Sequence, residues 1–195
     1  MELFSPIPRR GPRVPNVRIG LLMTGLIVAA IALLGVRSIE WFILEQSLRH
    51  RFPKVKWITT AQLADWLGDK NRPPPVLLDV RTKDEWEVSH IPGARRMDPN
   101  APIEKAHSGI AKETPIVTYC AVGYRSGVLA TKLHEAGFTN VWNLEGSIFQ
   151  WANEHRPLVR DNKPVTTVHP YSSLWGRLLT DDARGPLEGL PKERD

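Results

Sequence analysis

Ile116-Val117-Thr118-Tyr119-Cys120-Ala121-Val122-Gly123-Tyr124-Arg125-Ser126 contains the only cysteine of the chain. Its first four residues read as a buried strand, and Gly127 to Gly137 after it read as a helix. A cysteine in a tight strand-to-helix loop meets converging backbone N–H groups and the positive end of the following helix. Both favour the thiolate over a thiol that is ordinarily half-neutralised only near pH ~8.5. Arg125, five residues on, adds a permanent cation, and Ser126 adds a hydroxyl donor. Gly123 gives the loop the backbone freedom to curl round its own cysteine.

Working outward, the flanking segments alternate between strand and helix. Lys56 to Ile58 reads as a short strand, and Thr59 with Gln62 is a capping box opening a helix that buries Leu63, Trp66 and Leu67. Val76-Leu77-Leu78-Asp79-Val80 is apolar except for Asp79, the pattern of a parallel strand buried on both faces. Thr82 and Glu85 form a second capping box, His90 to Ala94 a turn, and Arg95 to Asp98 a short extended stretch. Ile103 to Lys112 reads as a helix, Gly137 as the C-cap after the cysteine helix, Asn140 to Leu144 as a fifth strand, and Ser147 to Glu154 as a last helix. This alternation implies an α/β fold with a parallel sheet covered on both faces.

The formal charge of +5 over 195 residues is unevenly placed, with +6 in residues 1–56 and −1 in residues 57–195. The body of the chain has no basic excess, which argues against a nucleic-acid partner. One cysteine excludes an internal disulfide, and no Cys/His cluster has the spacing of a metal site. No cofactor is expected. Residues 1–18 form a basic, proline-rich tail. Residues 19–36 are uncharged and apolar, and as a helix would cover roughly 27 Å, enough for a transmembrane span. An uncleaved single-pass anchor is the expectation, with a cleaved signal peptide as its rival. The arginines before the span place the N-terminus inside and the domain across the membrane. Residues 37–55 are expected as a helical connector, with Trp41 and Phe42 at headgroup level. Residues 159–195 are expected as an extension whose last fifteen residues form a solvated tail.

Leu78-Asp79-Val80-Arg81, Glu85-Trp86, His90-Ile91-Pro92-Gly93-Ala94, the Cys120–Ser126 loop, Leu144-Glu145-Gly146 and Trp151, in this order, resemble a single rhodanese-like domain over residues 56–158. The resemblance implies a central five-stranded parallel sheet flanked by helices and sulfane-sulfur transfer through a cysteine persulfide. Ser89 and Ser147 stand where the family usually has glycine. The implied nucleophile is Cys120, with Ala121, Val122, Gly123, Tyr124, Arg125 and Ser126 holding the transferred sulfur. Asp79 and Arg81 are supporting residues: Asp79 as a partner for loop amides, Arg81 either attracting an anionic donor or pairing with a carboxylate. His90 is expected to stabilise its turn.

The expected activity is that of a membrane-anchored, thiosulfate-type sulfurtransferase. Its partners are a sulfur donor such as thiosulfate and, since the chain has no second cysteine, an external thiol or other thiophilic acceptor. The alternatives are a non-catalytic or sulfur-carrier module at the membrane and a cysteine phosphatase. Rhodanese-like phosphatases space their cysteine and arginine by five residues to admit a tetrahedral oxyanion; here Cys120 and Arg125 are separated by four, by resemblance a cradle for one sulfur atom.

Overall fold

The computed structural model describes residues 38–188. A helix over 38–51 (α1) is followed by β1 (Lys56–Ile58), α2 (Thr60–Gly68), β2 (Val76–Asp79), α3 (Lys83–Val88), β3 (Arg95–Arg96) and α4 (Ile103–His107). Then come β4 (Ile116–Tyr119), α5 (Tyr124–Glu135), β5 (Val141–Leu144), α6 (Ser147–Asn153), β6 (Leu158–Arg160), β7 (Lys163–Val165) and a 3-10 turn at Trp175–Leu178. Both capping boxes form: Thr59 with Gln62 opens α2, and Thr82 with Glu85 opens α3. The helix expected to reach Lys112 stops at His107, with Ser108 as its cap and Gly109 at φ 72° just beyond.

Five strands form one parallel sheet in the order β1-β5-β4-β2-β3, with β4 at its centre. Alternate side chains of each strand go to opposite faces. Leu77, Val117, Tyr119 and Leu144 join one core with Leu63 and Trp66 of α2 and Ile148, Phe149 and Trp151 of α6. Leu78, Ile116 and Val141 join a second core with Ala106 of α4 and Leu129 and Leu133 of α5. The chain leaves β2 for one edge of the sheet and β4 for the other. Neighbouring strands whose connections diverge open a crevice at their carboxyl ends. Asp79 and Cys120 both lie there.

The expected connector, residues 37–55, carries part of the core. Trp41, Leu48 and Phe52 are buried, along one stripe of α1 and just past its end. Trp41 is thus packed into protein rather than set at a headgroup level, whereas Phe42 is exposed. Phe52 lies over α5 at Gly127, where an added Cβ would stand 2.7 Å from two ring carbons. Gly127→Ala therefore tests the packing at the end of α1. Helix propensity alone would stabilise this variant by about 1 kcal/mol. The displaced ring is expected to reverse the sign, giving a net loss of about 1–2 kcal/mol in urea unfolding. A more stable variant would mean that Phe52 yields freely.

The segment after α6 also folds onto the domain. β6 and β7 form a hairpin whose two loop residues, Asp161 and Asn162, have φ 50° and 59°. These are the left-handed values of a tight hairpin turn, which Asp and Asn tolerate better than most residues. Further on, Val168 bridges Arg184, Ala183 is buried, and Asn153 of α6 bonds Leu178 and Thr180. The solvated tail expected from residue 181 is thus packed as far as Gly185, whose N–H bonds the Val168 carbonyl. The expected membrane span, 19–36, lies outside the described residues. Among the described residues no helix is long and apolar enough to cross a membrane.

Candidate active site

Cys120 follows the last residue of β4 and is 1% exposed. Its surroundings explain why the loop presents amides rather than carbonyls. The Cys120 and Ala121 carbonyls accept from Ile148 and Phe149 N–H at the start of α6. The Gly123 carbonyl accepts from the Asn143 side chain at 2.9 Å, and the Ser126 carbonyl from the Thr118 hydroxyl at 3.1 Å. With these carbonyls tied outward, the Gly123 N–H is free to donate to Cys120 Sγ at 3.2 Å. Gly123 adopts φ 112°, which a side chain would strain, and so turns the chain into α5 at this point.

Burial pushes the Cys120 thiol up. It is outweighed by the Arg125 cation, the Ser126 N–H and hydroxyl and the Gly123 N–H, so that the pKa falls below the ordinary cysteine value. The Ser126 hydroxyl is wholly buried and has no hydrogen-bond partner among the described residues, so its donor is available to the sulfur.

Arg125 is fixed by a bidentate pair with Glu85, with both N–O distances 2.7 Å. The Glu85 carboxylate also accepts from Thr82 N–H and hydroxyl, both at 3.0 Å, so one acid caps α3 and aims the arginine. Burial works against the Glu85 charge, but Arg125 and Thr82 overcome it and hold its pKa below the usual carboxylate range. Burial likewise opposes the Arg125 charge, which Glu85 and the neighbouring Cys120 sulfur then more than restore.

Asp79 and Arg81 are 0% exposed and pair with each other, Arg81 Nη2 lying 2.6 Å from Asp79 Oδ2. Arg81 also donates to the Glu85 carbonyl at 3.2 Å and the Ser89 carbonyl at 2.6 Å, and Asp79 accepts the Arg81 N–H at 3.0 Å. Of its two expected roles, Arg81 fills the pairing one; a wholly buried guanidinium does not meet an incoming anion. His90 stacks on Trp86 with ring centroids 3.6 Å apart and sits against Val159, in a turn-stabilising position. Burial lowers its pKa.

Of the residues read from sequence, Ala121 and Val122 line the cavity over Cys120, and Tyr124 turns its half-exposed ring to its rim, edge-on to Phe52. Three residues of the site had no role of this kind in the sequence reading. Glu85 reads as a cap only, because its second partner is forty residues away. Asn143 is hidden within a strand. Ser147, which departs from the family pattern, adopts φ 50°, and its hydroxyl accepts the Cys120 N–H at 3.2 Å. That departure was its one signal in the sequence.

A model of the rhodanese-like domain matches residues 59–154. The chain is 34% identical over 88 residues to the thiosulfate sulfurtransferase GlpE of Coxiella burnetii, covering 45% of this chain and 80% of that protein. The chain belongs to the rhodanese-like family. It is also 37% identical over 103 residues to the probable adenylyltransferase/sulfurtransferase MoeZ of Mycobacterium tuberculosis, covering 51% of this chain but only 25% of that protein's length. Among solved structures, the Alr3790 protein of Anabaena sp. superposes with a TM-score of 0.50 at 26% identity, over 54% of this chain and 82% of that one. The rhodanese-like match ends before the C-terminal hairpin and begins after α1. Both flanks nevertheless reach the site: Leu44 and Leu48 of α1 and Tyr171 and Trp175 of the C-terminal segment line the cavity above Cys120.

Proposed function

We propose that this rhodanese-like protein is a sulfurtransferase that passes sulfane sulfur from a thiosulfate-type donor to a thiophilic acceptor through a persulfide on Cys120. The observation that carries the reading is the Cys120 sulfur, which accepts the Gly123 N–H and whose pKa is lowered beside an Arg125 fixed by Glu85. In the first step the thiolate attacks the outer sulfur of the donor. The donor's sulfur–sulfur bond breaks with its electron pair on the leaving group, sulfite in the case of thiosulfate, and Cys120 becomes Cys–S–S⁻. In the second step an external thiolate attacks the terminal sulfur, and Cys120 leaves as the thiolate. Donors that favour the first anion also favour the persulfide anion, so one arrangement serves both steps.

Transfer from thiosulfate to cyanide, together with intact-protein mass spectrometry, tests the reading. Turnover with a one-sulfur adduct on Cys120 supports the enzyme. A stable adduct with negligible turnover supports the carrier alternative, and neither adduct nor turnover overturns both.

The rate of loading should rise with pH through the depressed thiol pKa and level off above it, because the thiolate is the attacking form. Arg125→Gln removes a cation that favours the anion. It is expected to move the midpoint of that profile to higher pH, so that the loss of rate is largest near neutrality and smaller in alkali. Superimposable normalised profiles would show that Arg125 does not act on the thiol.

The reading includes a membrane anchor at residues 19–36, with the N-terminus inside and the catalytic domain on the far side. Its support is the eighteen-residue uncharged run between basic flanks. The full chain is expected in the membrane fraction and a form lacking residues 1–36 in the supernatant; a full chain found in the supernatant would remove the anchor.

A further inference from the structure

The cavity over Cys120 measures about 200 Å³. Its walls beyond the cysteine loop come from outside the matched family domain: Leu44 and Leu48 from α1, and Tyr171 and Trp175 from the C-terminal segment. With Val122 they present carbon to the space above the sulfur. The cation at the rim is already engaged. Arg125 faces Glu85 through two nitrogens, and the Tyr171 ring lies over its guanidinium, 4.9 Å from Cζ to the ring centroid. The placement of Tyr171 is built into its turn. Its backbone has φ 63°, and its N–H is held by His169 Nδ1 at 3.0 Å. The segment carrying Trp175 is tied to α6 through Asn153, which donates to the Leu178 carbonyl and accepts from the Thr180 N–H, both at 2.8 Å.

Thiosulfate is a compact dianion whose oxygens seek N–H groups and cations, and these walls offer it little. An apolar cavity of about 150 Å³ takes up benzene, so this one has room for a group of that size beside the sulfur.

We infer that the physiological donor carries its sulfane sulfur on an apolar organic group the size of an aromatic ring or a branched alkyl, seated between α1 and the Tyr171–Trp175 segment. This rests on the sulfurtransferase reading and narrows its donor class to organic sulfane sulfur. The step is balanced without an added oxidant or reductant. Cys120 thiolate bonds to the outer sulfur, and the bond from that sulfur to the organic sulfur breaks. The electron pair leaves on the organic fragment as a sulfinate or thiolate, and total charge is conserved.

Sodium methanethiosulfonate and sodium benzenethiosulfonate share the same reacting group and the same kind of leaving group, and differ in the apolar arm. Second-order rates of Cys120 loading, followed by intact mass, are expected to be at least about tenfold higher for the benzene compound, the factor that burying about 55 Å² of carbon provides. Trp175→Ala is expected to pull that ratio towards one. A purely structural injury would slow both donors alike and leave the ratio in place, and an unchanged ratio would overturn the assigned wall. A wild-type ratio within about twofold of one overturns the inference while the sulfurtransferase reading stands. Failure of Cys120 to load from either compound or from thiosulfate overturns both.

Discussion

Cys120→Ser is expected to abolish formation of the sulfur adduct and to lower thiosulfate-to-cyanide transfer by at least about a thousandfold, because loss of a nucleophile removes the covalent route altogether. The serine hydroxyl would occupy nearly the same volume, so the fold should survive. It would remain protonated in the same surroundings: the Gly123 N–H and the Arg125 cation favour an anion, but an alcohol begins too far from ionisation for them to create one. Circular dichroism and thermal unfolding should therefore match the wild type while transfer is lost. Residual transfer within about tenfold of wild type would mean that the reaction does not pass through this sulfur.

The second large effect is on stability. Arg81→Ala is expected to cost about 3–5 kcal/mol, the range for removing one partner of a buried ion pair. The carboxylate of Asp79, 0% exposed in the wild type, would be left uncompensated, and the Glu85 and Ser89 carbonyls would each lose a donor. Because Arg81 also fixes the carbonyl of Glu85, the acid that aims Arg125, slower sulfur loading should accompany the loss. The double variant Asp79→Leu/Arg81→Met, which removes both charges, should lose less stability than Arg81→Ala alone. Urea unfolding measures each. A single-variant loss below about 1 kcal/mol would mean that the pair contributes no more than a surface ion pair does.

The parts of the site legible in the sequence are those encoded over short spans. The apolar β4 run, the αL-capable Gly123 and the start of α5 together specify a strand-to-helix loop, and that loop gives the Cys120 sulfur its amide. The two capping boxes are equally local, each closing over three residues, and both form. The hairpin of β6 and β7 was missed although its signal is short: Asp161-Asn162 between two small apolar runs. Its strands have only three residues each, too few for alternation to stand out, and one contains Pro164.

Residues that act across the fold were hidden for a different reason. Glu85 looks complete once its capping box is drawn, and only the packing of α3 against the start of α5 brings Arg125 to it. Arg81 reads equally as an attractor of anions or as a partner for a carboxylate, and the pairing role is decided only when Asp79, the carbonyls of Glu85 and Ser89 and the Tyr119 ring bury it completely. Leu44, Leu48, Tyr171 and Trp175 lie outside the domain pattern, in segments read only as a connector and an extension, and nothing local in either says what covers it.

The sequence alone determined the place of the single cysteine, the length of its loop and the alternation of strand and helix, since each is fixed by neighbours along the chain. The tertiary structure decided which groups hold Arg125, which charge is buried with Asp79, and which side chains roof the cysteine. Those are contacts between segments far apart in the chain, and their energies depend on burial and distance that exist only once the sheet has brought the segments together.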